Sequence, residues 1–267
     1  MKTIRLRIAY NGTHYSGWQT QPERKTVQSE VEAAIEKLTR QKVNLLCAGR
    51  TDAGVHALGQ VASFRSDFKI PPHRWRPALQ SKLPEDIVIL ESDEVPEDFH
   101  ATYAAISKRY RYVIYNSQVD HPFWKDFVWR IAQELDAEKM NEAAQSLVGK
   151  HDFRSFESHW PNKATSVRTI KAVSVQRLKQ WDLWSPAHTG VAEDQAKLDG
   201  DFIVLEIEAD GFLYNMVRTI TGTLVNVGRG RWPIKDVQRI LDAQDRKIAG
   251  GTAPASGLYL AQVYYEV

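Results

Sequence analysis

The stretch of this chain best equipped for chemistry is Gly49-Arg50-Thr51-Asp52-Ala53-Gly54-Val55-His56. It follows an apolar run, Val43 to Cys47, is flanked by glycines, and sets an arginine and an aspartate two residues apart. In extended backbone, residues i and i+2 point the same way, so Arg50 and Asp52 can face one ligand. Small Ala53 and Gly54 let that ligand approach the main chain. An ionised aspartate presented in this way can attack or stabilise an electron-poor carbon. The same residues also fit a plainer reading, an Asx-turn in which Asp52 bonds its own backbone. Residue types alone leave both readings open.

Other chemistries find little support. Gly54-x4-Gly59 has the spacing of a phosphate loop, but Gln60-Val61 stands where Lys-Ser/Thr would grip phosphate and magnesium. No Gly-x-Gly-x-x-Gly, Gly-x-Ser-x-Gly or His-Glu-x-x-His occurs, and His151 and His159 are too far apart to share a helix face. Cys47 is the single cysteine, which excludes an internal disulfide framework and thiolate-rich metal sites, and it falls in an expected buried strand. No metal or cofactor is expected.

The chain has 267 residues, 43% apolar and 25% charged, the composition of a globular protein with a sizeable core. Its start, Met1-Lys2-Thr3-Ile4-Arg5, is charged where a signal peptide is apolar, and no run suits a membrane span, so a cytoplasmic protein of a reducing compartment is expected. The net charge of +2 conceals an uneven distribution. The stretch 181–201 holds five acids and one base, leaving +6 on the rest. Bases gather with aromatics in Arg74-Trp75-Arg76, Lys108-Arg109-Tyr110-Arg111-Tyr112 and Arg229-Gly230-Arg231-Trp232. That pairing suits phosphates and unpaired bases; any single cluster is better read as a solvated strand face, and it is the three together that tilt towards nucleic acid.

The elements that must position these groups follow from periodicity. Ile4, Leu6 and Ile8 alternate with arginines as a half-buried strand. Thr26 caps a helix with Val27, Val31, Ala34, Ile35 and Leu38 on one face. Strands over 43–47, 60–65 and 87–90, with a short helix opened by Pro71 and Pro72 in which Pro77 could introduce a kink, complete β-α-β-β-α-β, the ferredoxin-like order. The second half repeats it loosely: a strand over 110–116, a helix capped by Asp136 and running to Val148, strands over 169–178 and 202–208, helical stripes from Met216 and after Pro233, and a last strand from Leu258. The fold class expected is α+β, two ferredoxin-like (RNP-like) halves, 1–104 and 105–267, forming a mixed, mainly antiparallel sheet with a central cleft. The stretch 181–201 is read as an acidic surface insertion.

Blocks spread along nearly the whole chain carry a resemblance. They are Tyr10-Asn11-Gly12-x-x-Tyr15-x-Gly17-Trp18-Gln19 with Thr26-Val27-Gln28, then Gly49 to His56 with Gln60-Val61, then Phe99-His100-Ala101. Lys108-Arg109-Tyr110-x-Tyr112, His151-Asp152-Phe153 with Ser155-Phe156, Gly211-Phe212-Leu213-Tyr214-x-Met216-Val217-Arg218 and Thr252-Ala253-Pro254-Ala255-x-Gly257-Leu258 follow in order. With these the chain resembles the tRNA pseudouridine synthase A family. The resemblance implies isomerisation of uridines in the anticodon stem-loop (positions 38, 39 and 40 in tRNA nomenclature), tRNA as partner, and a homodimer. It implies Asp52 as nucleophile, Tyr110 as the aromatic packed on the uracil, Arg218 as the basic partner of the carboxylate, Leu258 as an apolar contact to the base, and Arg50 as a residue that helps displace the base.

The reaction breaks N1–C1′, turns the uracil and joins C5 to C1′, with nothing oxidised, hydrolysed or carried, so it requires no cofactor. It does require a carboxylate that attacks C1′ or adds to C6 of the ring, and the sequence leaves both routes open. Tyr110 fits either a base for the C5 proton or a stacking residue. Extruding the uridine costs a few kcal/mol, and Lys108, Arg109 and Arg111 are candidate phosphate contacts that would help to offset it. Three rivals stand beside this reading: a synthase acting on other uridines, a non-catalytic RNA-binding module or chaperone, and an aspartate-dependent hydrolase.

Overall fold

In the computed structural model, which describes residues 1–158, 165–178 and 201–266, the alternating Ile4, Leu6 and Ile8 form β1 (Lys2–Tyr10) and are fully buried. Helix α1 (Val27–Thr39) begins at Thr26, whose side chain accepts the Ser29 amide while the Ser29 hydroxyl accepts the Thr26 amide, and its Val27, Val31, Ala34 and Ile35 are buried. Arg40, in the left-handed region at φ 63, ends it. β2 (Leu46–Cys47) is shorter than the expected 43–47, and both residues are half-buried rather than core. β3 (His56–Ser66) starts four residues earlier than expected, so the loop 49–55 runs straight into a strand. α2 (Trp75–Gln80) keeps Pro77 in its first turn, where the missing amide has no intrahelical partner to lose, so no kink is required. β4 (Ile87–Val95) closes the run, which is the expected β-α-β-β-α-β order.

The described chain divides into two compact units, Met1–Tyr110 with Tyr259–Val267, and Arg111–Leu258. In the first, β4 and β3 flank β1 in antiparallel pairing, and β2 lies antiparallel on the far edge of β3 (Leu46 opposite Ser63). This is the split-βαβ arrangement that α1 and α2 demand. The last strand, β10 (Leu258–Tyr265), runs parallel to the opening of β3, with Tyr259 opposite His56. Phe64 of β3 meets Trp75 of α2 edge-on at 5.1 Å in the core. The alternate residues of β1 form ion pairs with β4, Arg5 with Asp93 and Arg7 with Glu91.

In the second unit the sheet order is β5 (Ala105–Asn116, which enters from the first unit), β9 (Asp201–Ala209), β8 (Val167–Leu178) and β7 (Gly149–Asp152). β7–β8 and β8–β9 are antiparallel, and β6 (Trp129–Ile131) runs parallel to β5. The two short strands β6 and β7 are too brief to show a period in sequence. α3 (Ala137–Gln145), capped by Asp136, ends before the expected Val148, which is exposed. α4 (Met216–Gly228) is buried at every residue except Arg218 and Asn226, more than the one-sided stripe expected. Two of its three threonines return hydroxyl bonds to the carbonyls four residues back, Thr221 to Val217 and Thr223 to Thr219, which makes their burial tolerable. Gly222 admits the chain at Gly251 so closely that a Cβ would lie 1.9 Å from that carbonyl oxygen. α5 (Asp236–Ala243) follows Pro233 as expected.

The result is an α+β protein with a mixed, mainly antiparallel sheet. Among the described residues no helix is long and apolar enough to cross a membrane. The acidic stretch, apart from Asp201, and His159 lie outside the described residues.

Candidate active site

The loop 49–55 is held in place by the segment that follows β1. Tyr10 and Thr51 share a buried hydroxyl–hydroxyl bond of 2.7 Å, and the Thr51 carbonyl accepts the Trp18 amide at 3.0 Å. The Gly12 amide donates to Nδ1 of His56 at 3.1 Å, and that imidazole is stacked on Tyr259 at 4.8 Å. The Gln60 side-chain amide donates to the Gly49 carbonyl at 2.6 Å. Two glycines allow this contact. A Cβ on Gly12 would lie 2.0 Å from the Val55 carbonyl oxygen, and one on Gly17, at φ 90, would lie 2.6 Å from that of Thr51.

Within this clamp Asp52 to Val55 make a β-turn, closed by the Val55 amide on the Asp52 main-chain carbonyl at 3.1 Å. Gly54 at φ 77 fills the position where a type II turn takes glycine. The Gly54 amide donates to the Tyr15 carbonyl at 3.2 Å. An Asx-turn would direct that amide to the Asp52 carboxylate instead. The Asp52 side chain is half-buried, Thr51 before it is buried, and Arg50 is exposed.

Tyr110, on β5, is only 7% exposed. Burial drives its phenol well above the ordinary range, and neighbouring Tyr10, Asp52 and Cys47 push the same way, Asp52 as a negative charge within reach. Within the first unit the charge of Asp52 is thus felt at Tyr110. Lys108, two residues before Tyr110 on the same strand face, lies along Gly49, with its Nζ 3.6 Å from where a Cβ would stand. Arg109 and Arg111 alternate to the other face. Arg109 stands over the Tyr264 ring at 5.4 Å, and Arg111 is paired with Glu206 at 2.6 Å. Of the three proposed phosphate contacts, Lys108 alone shares the face of Tyr110. Burial pushes the Cys47 thiol up to about 11 despite the opposing effect of Arg50 and Lys108, so it is protonated at neutral pH and no nucleophile.

Arg218 and Leu258 belong to the second unit. Arg218, in the first turn of α4, donates from Nε to the Ala253 carbonyl at 2.7 Å and from Nη1 to the Asn215 side-chain oxygen at 2.8 Å. Asn215 is itself in the left-handed region (φ 61) and bonds Ser158. The guanidinium plane is thus set by two fixed acceptors rather than by its own flexible stem. Leu258 is buried just after Gly257, where a Cβ would lie 2.6 Å from the Tyr112 ring, and the Tyr112 hydroxyl donates to the Pro254 carbonyl at 2.7 Å.

Two further features bear on ligands. Among the described residues no three His, Cys, Asp or Glu side chains converge to hold a metal ion. A hollow of about 930 Å³ in the second unit, lined by Glu134, Asp136, Glu138, Lys139, Arg177 and Arg229 among others, contains none of the residues assigned to chemistry. Its lining mixes charges of both signs, and the arrangement around Asp52 is the better candidate site.

Tyr10, Gly12, Tyr15, Gly17 and Gln60 hold the loop without having been assigned that role from sequence. Their presence in the shared blocks was visible, but contacts between residues some forty positions apart were not.

Comparison with known proteins completes the picture. A family model described as tRNA pseudouridine synthase matches residues 7–104 and 143–266. The chain is 47% identical over 265 residues to tRNA pseudouridine synthase A of Acetivibrio thermocellus, covering 99% of this chain and 100% of that protein. It is 44% identical over 267 residues to tRNA pseudouridine synthase A of Moorella thermoacetica, with 99% and 100% covered. It is 42% identical over 265 residues to tRNA pseudouridine synthase A 2 of Clostridium perfringens, again with 99% and 100% covered. The residues matched by the family model include Asp52 with its clamp, Arg218 and Leu258, and on this evidence the chain belongs to the tRNA pseudouridine synthase family.

Proposed function

We propose that the chain converts uridine to pseudouridine in the anticodon stem-loop of tRNA, at positions 38, 39 and 40, with Asp52 as nucleophile, acting in the cytoplasm as a homodimer. Family membership makes the reaction uridine isomerisation in tRNA. The finer reading rests on one observation above the rest: Asp52 sits half-buried on a turn closed by its own main-chain carbonyl, and its charge is felt by the buried Tyr110. The turn is closed by main-chain bonds and does not depend on the carboxylate to hold it.

In the reaction the N1–C1′ bond breaks, the uracil stays bound while it turns, and C5 joins C1′. The C5 proton departs and N1 acquires one, so atoms and electrons balance without a co-reactant. The Asp52 carboxylate bonds transiently to C1′ or to C6, and both routes restore it at the end. Arg218 serves as its basic partner, Leu258 as an apolar contact to the uracil, and Arg50, exposed at the entrance to the turn, helps to displace the base. Lys108, on the face of Tyr110, meets a phosphate.

Tyr110 packs on the uracil. A phenol kept neutral by burial accepts no proton at pH 7, which weighs against its taking the C5 proton. The sign of its shift gives a pH expectation: the hydroxyl stays protonated through pH 9, so turnover between pH 7 and 9 carries no inflection from this residue. Tyr110→Phe should therefore retain turnover within about tenfold and leave the pH profile unchanged, whereas loss of a working general base costs on the order of 10²–10⁴-fold. Rates of tritium release from C5-labelled tRNA across that range check it. Mapping the modified nucleotides in the same reactions tests the position: pseudouridine confined to sites outside the anticodon stem-loop would refute that part of the proposal.

A further inference from the structure

The turn that precedes β5 carries the most exposed aromatic side chain of the described residues, Tyr103, at 85%. Singly exposed hydrophobic residues need no explanation. Tyr103 differs because it is fixed and because of what surrounds it. Its ring lies 4.3 Å from the imidazole of His100 at a 35° tilt. The Thr102 and Tyr103 amides both donate to His100 Nδ1, at 3.2 and 3.4 Å, and the Ala104 amide donates to the His100 carbonyl at 2.9 Å. The Tyr265 hydroxyl donates to the Ala101 carbonyl at 2.8 Å, and the Thr102 hydroxyl to the Cys47 carbonyl at 2.6 Å. A five-residue turn is thus held at both ends, with one ring supported from beneath and its other side open to solvent.

The anchor point is informative. Cys47 ends β2 and leads directly into the loop that carries Asp52, and no more than about 18 Å of chain separates the two. Arg50 and Lys108 both act on the Cys47 thiol. An outward-facing aromatic on a turn anchored to Cys47, with Arg50 three residues beyond that anchor and Lys108 five residues further along the chain from Tyr103, is a combination suited to single-stranded nucleic acid. Cations track the phosphates while the ring receives a base face at little entropic cost.

We infer that Tyr103, supported by His100, is a stacking platform for an unpaired nucleobase of the RNA, one other than the uridine being isomerised. The inference rests on the functional reading above and adds a subsite to it. It assigns Tyr103 a positioning role: the ring holds a neighbouring nucleotide while the target uridine is out of its stack.

The test uses the full chain and a transcript of a tRNA anticodon stem-loop. Affinity is measured by fluorescence anisotropy at several salt concentrations for wild type, Tyr103→Ala and Tyr103→Phe, with sedimentation velocity on each protein alone. Tyr103→Ala should weaken binding about 5- to 100-fold, the effect of losing one base–aromatic stack. Tyr103→Phe should bind within about twofold of wild type. The slope of affinity against salt should be unchanged by either, because no phosphate contact is lost. In turnover assays the loss should appear in KM more than in kcat. Wild-type affinity for Tyr103→Ala overturns the inference, as does a Tyr103→Phe as weak as the alanine variant. A change in sedimentation with RNA binding intact overturns it too, by making the ring a contact between copies of the chain. If wild type itself fails to isomerise tRNA uridine, the functional reading falls; if wild type is active and only the Tyr103→Ala effect is missing, the subsite alone falls.

Discussion

An alanine in place of Gly12 is expected to reduce turnover by about 100-fold or more in a protein that still folds. The added Cβ would stand 2.0 Å from the Val55 carbonyl oxygen and 2.5 Å from its carbon. Both are backbone atoms, so no side-chain tip can swing aside, and the strand end and the loop must part by more than an ångström. Gly12 also donates to His56, which fixes the far end of the same loop. Displacing the loop displaces Asp52, and an error of about 1 Å at a reacting group costs on the order of 10²-fold. Overpacking of this kind destabilises by about 1–3 kcal/mol. In a chain of this length each kcal/mol lowers Tm by about 2–4 °C. Calorimetry and kcat on Gly12→Ala check both parts, and Gly251→Ala is the control, since a Cβ there meets nothing within 4 Å. Wild-type turnover in Gly12→Ala would mean that the loop is not positioned by this contact.

Much of this arrangement was legible in the sequence, and what was not has physical causes. Period-2 alternation at Ile4, Leu6 and Ile8 and the four-three-one spacing in α1 report burial on one face, so β1, α1 and the split-βαβ order followed from them. Strand ends were less visible. β3 reaches back to His56 because the imidazole, though polar, is satisfied by the Gly12 amide and stacked on Tyr259, two long-range contacts that no local pattern records. α4 read as a one-sided stripe because its threonines look polar, yet the hydroxyls of Thr221 and Thr223 are satisfied within the helix. At the site, the spacing of Arg50 and Asp52 indicated a presented pair, and the alternative Asx-turn was undecidable until the Gly54 amide was seen on Tyr15. The basic run at 108–111 looked uniform in sequence, whereas the strand divides it, giving Lys108 to the face of Tyr110 and pairing Arg111 with Glu206.

The second large effect concerns the carboxylate itself. Asp52→Asn preserves the size of the side chain and its capacity to accept a hydrogen bond, but removes the charge and nearly all of the nucleophilicity. The turn need not move, because it is closed by the main-chain carbonyl of Asp52 and by the Gly54 amide on Tyr15. Folding and tRNA affinity should therefore stay within a few-fold of wild type. Turnover should not. Removing a nucleophile from an otherwise assembled site costs on the order of 10⁴- to 10⁶-fold, the residue of activity coming from binding alone. That separation of affinity from rate distinguishes an enzyme working through this side chain from an RNA-binding module that merely resembles one.

The most direct measurement is therefore single-turnover tritium release from C5-labelled tRNA by wild type and by Asp52→Asn, both saturated with enzyme and both shown to bind the RNA. Wild type should release tritium, and the variant should lose at least about 10⁴-fold in rate. Release by Asp52→Asn within tenfold of wild type would contradict it.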